Sequence, residues 1–299
     1  MNRFREGLMR SLIFFDVIGH VPTYAEWIGS WHSDGGVIPT RAELDEAAQQ
    51  MIAEGVARCE HGCVVLGSST RVNANPYAYD EVLPRKQRRL RWILRWLRLV
   101  PGVRAVFLCN STGFLNATDT SDLDFFVIVR QGAMWQARLL ATLPFLLLRL
   151  RPGDRREERD AVCLSFFVSD QALDLAPLMI ERDVYMAHWF RSLIPLFDDG
   201  AVRTFWEANT RVRSMLPCGA LWQQISDQPA TRHAWQFPRI PCVESAVRWL
   251  QRRHLPYFSM KHATSVVITD QVLKFHADDA RLSFRDSYEL QCHSVGIHP

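Results

Sequence analysis

The run Leu123–Val129, Leu-Asp-Phe-Phe-Val-Ile-Val, limits the fold of this chain more than any other segment. Apart from Asp124 it consists of apolar residues that favour strands, and it is apolar on both faces. Such a strand belongs at the centre of a sheet covered on both sides, so helices must lie above and below it. The expected class is therefore α/β (α+β), with a mixed sheet at its centre. With 299 residues, 48% of them hydrophobic, the chain can bury a large core, and its length suggests about two domains.

Asp122 and Asp124 stand at the mouth of this strand. Side chains two positions apart on a strand point to one face, so both carboxylates project together, opposite Leu123 and Phe125. Two acids this close repel each other, and burial raises the cost of ionising both. A divalent cation removes the conflict. Magnesium, held by one or two carboxylates and by substrate phosphates, suits the pattern, and paired acids can also hold two metals about an in-line phosphoryl displacement. Upstream, Val103–Cys109 reads as a buried strand that turns through Asn110-Ser111 into a short helix. The first amides of that helix, with the Ser111 hydroxyl, are expected to face phosphate.

This stretch resembles the DNA polymerase β-like nucleotidyltransferase superfamily, whose motif is a hydrophobic strand, Gly-Ser, a spacer and Asp-hydrophobic-Asp. The matching residues are Phe107-Leu108, Asn110-Ser111 and Ser121-Asp122-Leu123-Asp124-Phe125-Phe126. The likeness extends to a bacterial and archaeal group of such proteins. That group has a winged-helix-like N-terminus, an Asn matching Asn116, a Trp-x-x-Arg matching Trp135 and Arg138, and a Cys-led strand matching 163–168. It also has a Phe-x-x-Ala-Asn element, matching Phe205 to Asn209. The resemblance spans roughly residues 15–215. It implies a nucleotidyltransferase core in which Asp122 and Asp124 hold Mg²⁺ and act catalytically. It also implies that Asn110, Ser111, Asn116, Ser121 and Arg138 contact nucleotide or phosphate, with an NTP (ATP by default) as donor. Arg138 reads equally as a partly buried structural arginine.

Two positions depart from the motif. Asn110 replaces its glycine; asparagine tolerates the left-handed region better than most residues, so the turn is expected to survive while the side chain intrudes on phosphate. Active members also carry a third carboxylate on a later strand, but 162–168 reads Val-Cys-Leu-Ser-Phe-Phe-Val, with Asp160 before it and Asp170 and Asp174 after.

Around this centre, residues 1–75 read as a winged-helix-like domain. Helical periodicity covers 4–18, Thr23/Glu26 and Thr40/Glu43 are placed as capping boxes, and 56–59 and 63–66 form a hairpin about Glu60-His61-Gly62. This domain carries six basic against nine acidic residues, and its third helix holds Glu43, Asp45, Glu46 and Glu54, so duplex DNA is an unlikely partner. Cys59, His61 and Cys63 match no common zinc spacing. From Pro84 to Val100 a helix sets Arg85, Lys86, Arg88, Arg89, Arg91, Arg95 and Arg98 against an apolar face. That basic face is either solvated or turned to a phosphate substrate.

The core is expected over 76–175, with an apolar helix at 131–151 and a charged loop at 153–160. A mainly helical region follows over 176–299. It comprises a helix at 178–197 in which His188 is packed or on the surface, a loop at 227–241, a helix at 243–253 and a hairpin at 264–276. Lys261, His262, Lys274 and His276 tint that end basic. Seven cysteines, the absence of a convincing secretory signal and the lack of a ~20-residue apolar span point to a cytoplasmic location without membrane contact. The expected function is Mg²⁺-dependent transfer of a nucleoside monophosphate to an unknown acceptor. The rivals are an inactive nucleotide-binding relative and a winged-helix regulator.

Overall fold

The computed structural model describes residues 3–69, 78–152, 159–218, 240–254, 266–275 and 280–299. Most of the loops expected at 153–160 and 227–241, together with Lys261, His262 and His276, lie outside the described residues.

The chain opens with helices α1 (Arg3–Ile18), α2 (Tyr24–Gly29) and α3 (Arg41–Ala53), then strands β1 (Ala57–Glu60) and β2 (Cys63–Leu66), which pair antiparallel. Thr40 and Glu43 form the complete capping box at α3. At α2 only half of the expected box forms. Thr23 accepts from the Glu26 amide, but the Glu26 carboxylate turns instead to His20 Nε2 at 3.1 Å. The β1–β2 turn places His61 and Gly62 at φ 52° and 79°, the left-handed geometry of a tight hairpin.

Helix α4 (Ala78–Leu97) runs through Pro84 instead of beginning there. A proline inside a helix costs a backbone hydrogen bond and crowds the preceding turn. The buried face of the following turns, Lys86, Ile93 and Leu97, outweighs that cost. Then come β3 (Val103–Cys109), α5 (Asn110–Gly113), β4 (Leu123–Val129), α6 (Met134–Leu147) and β5 (Val162–Ser169).

The helix expected over 178–197 is not continuous. Its middle forms α7 (Val184–Ser192), but Leu193 leaves helical geometry and Ile194–Asp198 becomes strand β6, antiparallel to β3. Pro195 explains both the stop and the place, since a residue without an amide proton is tolerated on an edge strand. Helices α8 (Val202–Ala208), α9 (Thr210–Met215) and α10 (Pro241–His254) follow, then β7 (Val266–Ile268), β8 (Val272–Phe275) and α11 (Arg281–Ser294). The expected hairpin around Thr269-Asp270 is therefore present.

The sheet runs β6-β3-β4-β5-β8-β7, mixed, with β4 at its centre paired antiparallel to β3 and parallel to β5. Three of its six strands come from beyond residue 176, so the C-terminal region completes the sheet as well as supplying helices. Each β4 face meets its own core. Phe126 and Ile128 join α1, α3, α7 and α8 through Leu12, Phe14, Ala48, Phe190 and Phe205. Phe125, Val127 and Val129 join α4 and α6 through Ile93, Leu97, Trp135 and Phe145. The first of these cores runs without a break from α1–α3 into the sheet, so the N-terminal helices share their interior with it.

Two polar pins hold this frame. Glu244 of α10 accepts from the amides of Trp135 and Gln136, capping α6 from another helix. Asn209, 1% exposed, accepts from the Leu175 amide and donates to the carbonyls of Leu173 and Phe205. Asn209→Leu would strand a buried amide and two carbonyls. It is expected to cost about 2–4 kcal/mol in denaturant unfolding, and a loss below ~1 kcal/mol would refute the role.

Candidate active site at the mouth of the central strand

Three strands place the site. In register, Cys109 of β3 lies opposite Asp124 of β4, and Asp124 lies opposite Cys163 of β5. The β4–β5 register shifts between Asp124 and Phe126, whose partners are Cys163 and Phe166. The extra residue on β5 lets both Cys163 and Phe166 share the face of Asp124. Ligand atoms of Asp122, Asp124 and Cys163 consequently lie within 4.8 Å of one another. Asp124 is buried and Asp122 half-buried, so the pair sits at a rim that opens outward.

The two carboxylates thus converge as the spacing predicts. Asp160, Asp170 and Asp174 do not join them: Asp160 pairs with Arg85 and Lys86, Asp170 accepts from the Gln131 amide, and Asp174 accepts from the Ala176 amide. The third corner is Cys163 instead. Its proximity could not be read from the sequence, because alternation along an unbroken β5 assigns residues 163 and 166 to opposite faces.

The charge at this rim acts on its neighbours. Burial, followed by the charges of Asp124 and Asp122, pushes the Cys163 thiol well above its ordinary range, and its hydrogen bond to Asp124 adds to the shift. Cys109 is pushed up in the same way, first by burial and then by Asp124. The Tyr185 phenol rises through burial, then through Cys109 and Asp124. Three acidic groups around the carboxylates therefore keep their protons. That is the electrostatic setting in which a cation is favoured.

Asn110 adopts φ 52°, so asparagine holds the left-handed turn that the motif glycine would occupy. Its Oδ1 accepts from Trp189 Nε1 at 2.9 Å, which directs the amide group toward α7. Gly113 closes α5 against α7: a Cβ there would fall 2.9 Å from the Ser192 carbonyl oxygen, so a side chain would push the helices apart. Thr112 Oγ1 donates to the Asp122 carbonyl at 3.4 Å and joins α5 to the start of β4. Ser111 and Asn116 lie half-buried along the same turn, linked by an Asn116 amide bond to the Ser111 carbonyl at 3.0 Å. Asn116 Oδ1 is buried with no hydrogen-bond partner among the described residues.

Ser121 is engaged by the loop: its Oγ accepts from the Thr118 amide, and its carbonyl accepts from Lys86 Nζ at 2.6 Å. Arg138 is not brought to the carboxylates. It hydrogen-bonds Gln251 of α10 and lies 4.5 Å from the Phe275 ring, and burial pulls its pKa down to about 10. It is the structural arginine of the two readings. Helix α6 packs on the opposite face of the sheet, which is why periodicity along that helix could not reveal the separation.

Lys86 is the residue most misjudged by its neighbours in sequence. It is fully buried, bonding Asp160 at 3.0 Å and the Ser121 carbonyl, where the surrounding arginines suggested a solvated face. Lys86→Met leaves Asp160 and Ser121 short of a partner, although Arg85 remains on Asp160. The expected cost is about 2–4 kcal/mol in thermal or denaturant unfolding, and a neutral result would refute the bracing role.

No family model matches this chain, and neither a curated protein nor a solved structure matches it. No described helix is long and apolar enough to cross a membrane.

Proposed function

We propose that the chain is a magnesium-dependent nucleotidyltransferase that moves a nucleoside monophosphate from an NTP, ATP by default, to an acceptor and releases pyrophosphate. The observation that carries this reading is the convergence of Asp122 and Asp124 at the rim of a central strand, beside the Asn110–Gly113 turn. Two carboxylates, with phosphate oxygens, are a donor set suited to Mg²⁺. Cys163 is a softer group that keeps its proton, so it adds no hard ligand to the two carboxylates.

In this role Asp122 and Asp124 would hold the metal, which when bound neutralises charge on the phosphates and aligns them. Ser111 would donate to the β- and γ-phosphates. Thr112, through the Asp122 carbonyl, fixes the distance between that turn and the acids. Positioning and charge neutralisation are the main sources of rate in such transfers.

An inactive nucleotide-binding relative is the second reading. It is favoured by Cys163 in the place of a third acid and by the capture of the Asn110 amide by Trp189. Pyrophosphate release from labelled NTPs, with and without Mg²⁺, separates the two. Metal-dependent release lost in Asp124→Asn supports transfer. NTP binding with no release, unchanged by that substitution, supports the relative. A regulator working through the N-terminal helices is weaker, since Glu43 and Glu46 of α3 and Glu54 at its C-cap are exposed; a salt-dependent shift of duplex DNA is its test.

A further inference from the structure

Helix α6 is apolar on two opposite sides. Ala137, Ala141 and Phe145 fill the core beneath it, while Leu143, Leu146 and Leu147 form an outward stripe at the spacing of one helical face. Leu147 is 73% exposed and Leu146 51%, where a soluble helix turns polar residues to water. Helix α4 lies beside it and antiparallel: Trp96 Nε1 donates to the Leu140 carbonyl at 2.9 Å, and Trp92 meets Phe145 edge-on at 5.6 Å. One turn further back along α4, Arg88 comes level with the leucine end of α6. Arg88, Arg91, Trp92 and Arg95 are exposed on the side of α4 opposite the buried Ile93 and Leu97. Both helices cover one face of the sheet, so the leucines and the arginines point away from it in the same direction. Neither residues 82–100 nor residues 131–153 include an acid. Asp119 and Asp160, which reach α4 from outside it, are taken up by Arg85, Lys86 and Arg159.

We propose that this outer layer of α4 and α6 docks on an anionic lipid bilayer, with the leucines at the acyl boundary and the arginines on lipid phosphates. Exposed leucines flanked by cations, with no acid between them, are the composition of a surface-lying membrane helix. The half-exposed Trp92 ring at their junction suits the headgroup level. The sequence expectation of no membrane contact rests on the lack of a ~20-residue span, which a surface-lying helix does not need. Charge favours the bilayer over a second copy, because pairing two of these faces would set Arg88, Arg91 and Arg95 against their own counterparts. Shape favours it over an acidic protein. The leucines crown a helix, and a bilayer can be entered where a protein surface would need a matching groove. Asp124 shares its strand face with Phe126 and Ile128, in the other core, so a docked bilayer leaves the carboxylate rim open. Docking is independent of the transferase chemistry.

The test is flotation of the full chain with phosphatidylcholine vesicles containing about 30% phosphatidylserine, in EDTA and without nucleotide. The chain should float with these vesicles, bind pure phosphatidylcholine at least about tenfold more weakly, and be released by rising salt. Arg88→Gln with Arg95→Gln should weaken binding about 25-fold, or about fivefold per cation. Leu146→Ser with Leu147→Ser should weaken it about 30-fold or more, because two leucine side chains no longer leave water. All four positions are exposed, so the Tm of each pair should stay within a few degrees of the parent. Arg203→Gln, the same charge change at an exposed position of α8 across the sheet, should alter affinity less than about twofold. Absence of flotation overturns the proposal, and a dimer that the leucine pair dissolves would then give the face to a second copy. Flotation that survives the leucine pair also overturns it, since that marks a general polyanion surface. Flotation without pyrophosphate release rejects the transferase reading alone. Release without flotation rejects the docking alone.

Discussion

Asp124→Asn should lower magnesium-dependent pyrophosphate release by about 10³-fold, equivalent to roughly 4 kcal/mol of barrier, while the chain stays folded. The asparagine has almost the shape of the aspartate, so the register with β3 and β5 does not depend on the charge. What is lost is half of the negative charge that would hold the metal. Asp122→Asn, at the half-buried partner, should act in the same direction and keeps the inference testable if the buried position proves fragile. A second measurement reads the metal directly. Magnesium at 100 times its dissociation constant should stabilise the protein by about 2.7 kcal/mol, visible as a rise in Tm, and Asp124→Asn should abolish the rise. Turnover within tenfold of the parent in both variants would remove Asp122 and Asp124 from the chemistry.

Stability should fall in mild acid, between pH 6.5 and 4.5, because of two buried histidines. His188 of α7 is 2% exposed, stacks on Phe14 of α1 at 3.6 Å between ring centres and has an Nε2 with no hydrogen-bond partner among the described residues. His32, 6.3 Å from it, also has an Nε2 with no partner among the described residues. Burial, then the Arg10 charge, lowers His32 from 6.5 to about 4. Burial, then His32 and Arg191, lowers His188 well below its ordinary value. In the unfolded chain both titrate near 6.5. Below that pH the unfolded chain takes up two protons that the folded chain refuses, so stability is full above about 6.5 and drains as the pH falls. The rate is about 1.4 kcal/mol per pH unit for each histidine. His188→Phe keeps the stack and removes one titrating group. Urea unfolding from pH 7 to 4.5 should show its slope reduced by about half of this contribution, and an unchanged slope would exonerate the pair.

The parts of this protein that were legible in the sequence are those set by local rules. Alternation along residues 122–129 put two carboxylates on one face, and an apolar run on both faces demanded helices on each side. Thr40 and Glu43 announced the start of α3, and Glu60-His61-Gly62 the ribbon turn. The left-handed turn at Asn110 followed from asparagine's tolerance of positive φ. Helix 178–197 failed because a run apolar enough for a helix is also apolar enough for an edge strand; Pro195 was the signal that separates them.

The sequence by itself determined the central strand, the shared direction of Asp122 and Asp124, and the Thr40–Glu43 cap of α3, since each depends only on residues a few positions apart. Tertiary structure alone decided that Cys163 completes the triangle, that Lys86 is buried, that Arg138 lies away from the acids, and that His32 meets His188. Those four facts depend on strand register and on the packing of elements distant in the chain. Periodicity reports which way a side chain points along its own element, and carries no information about what stands opposite.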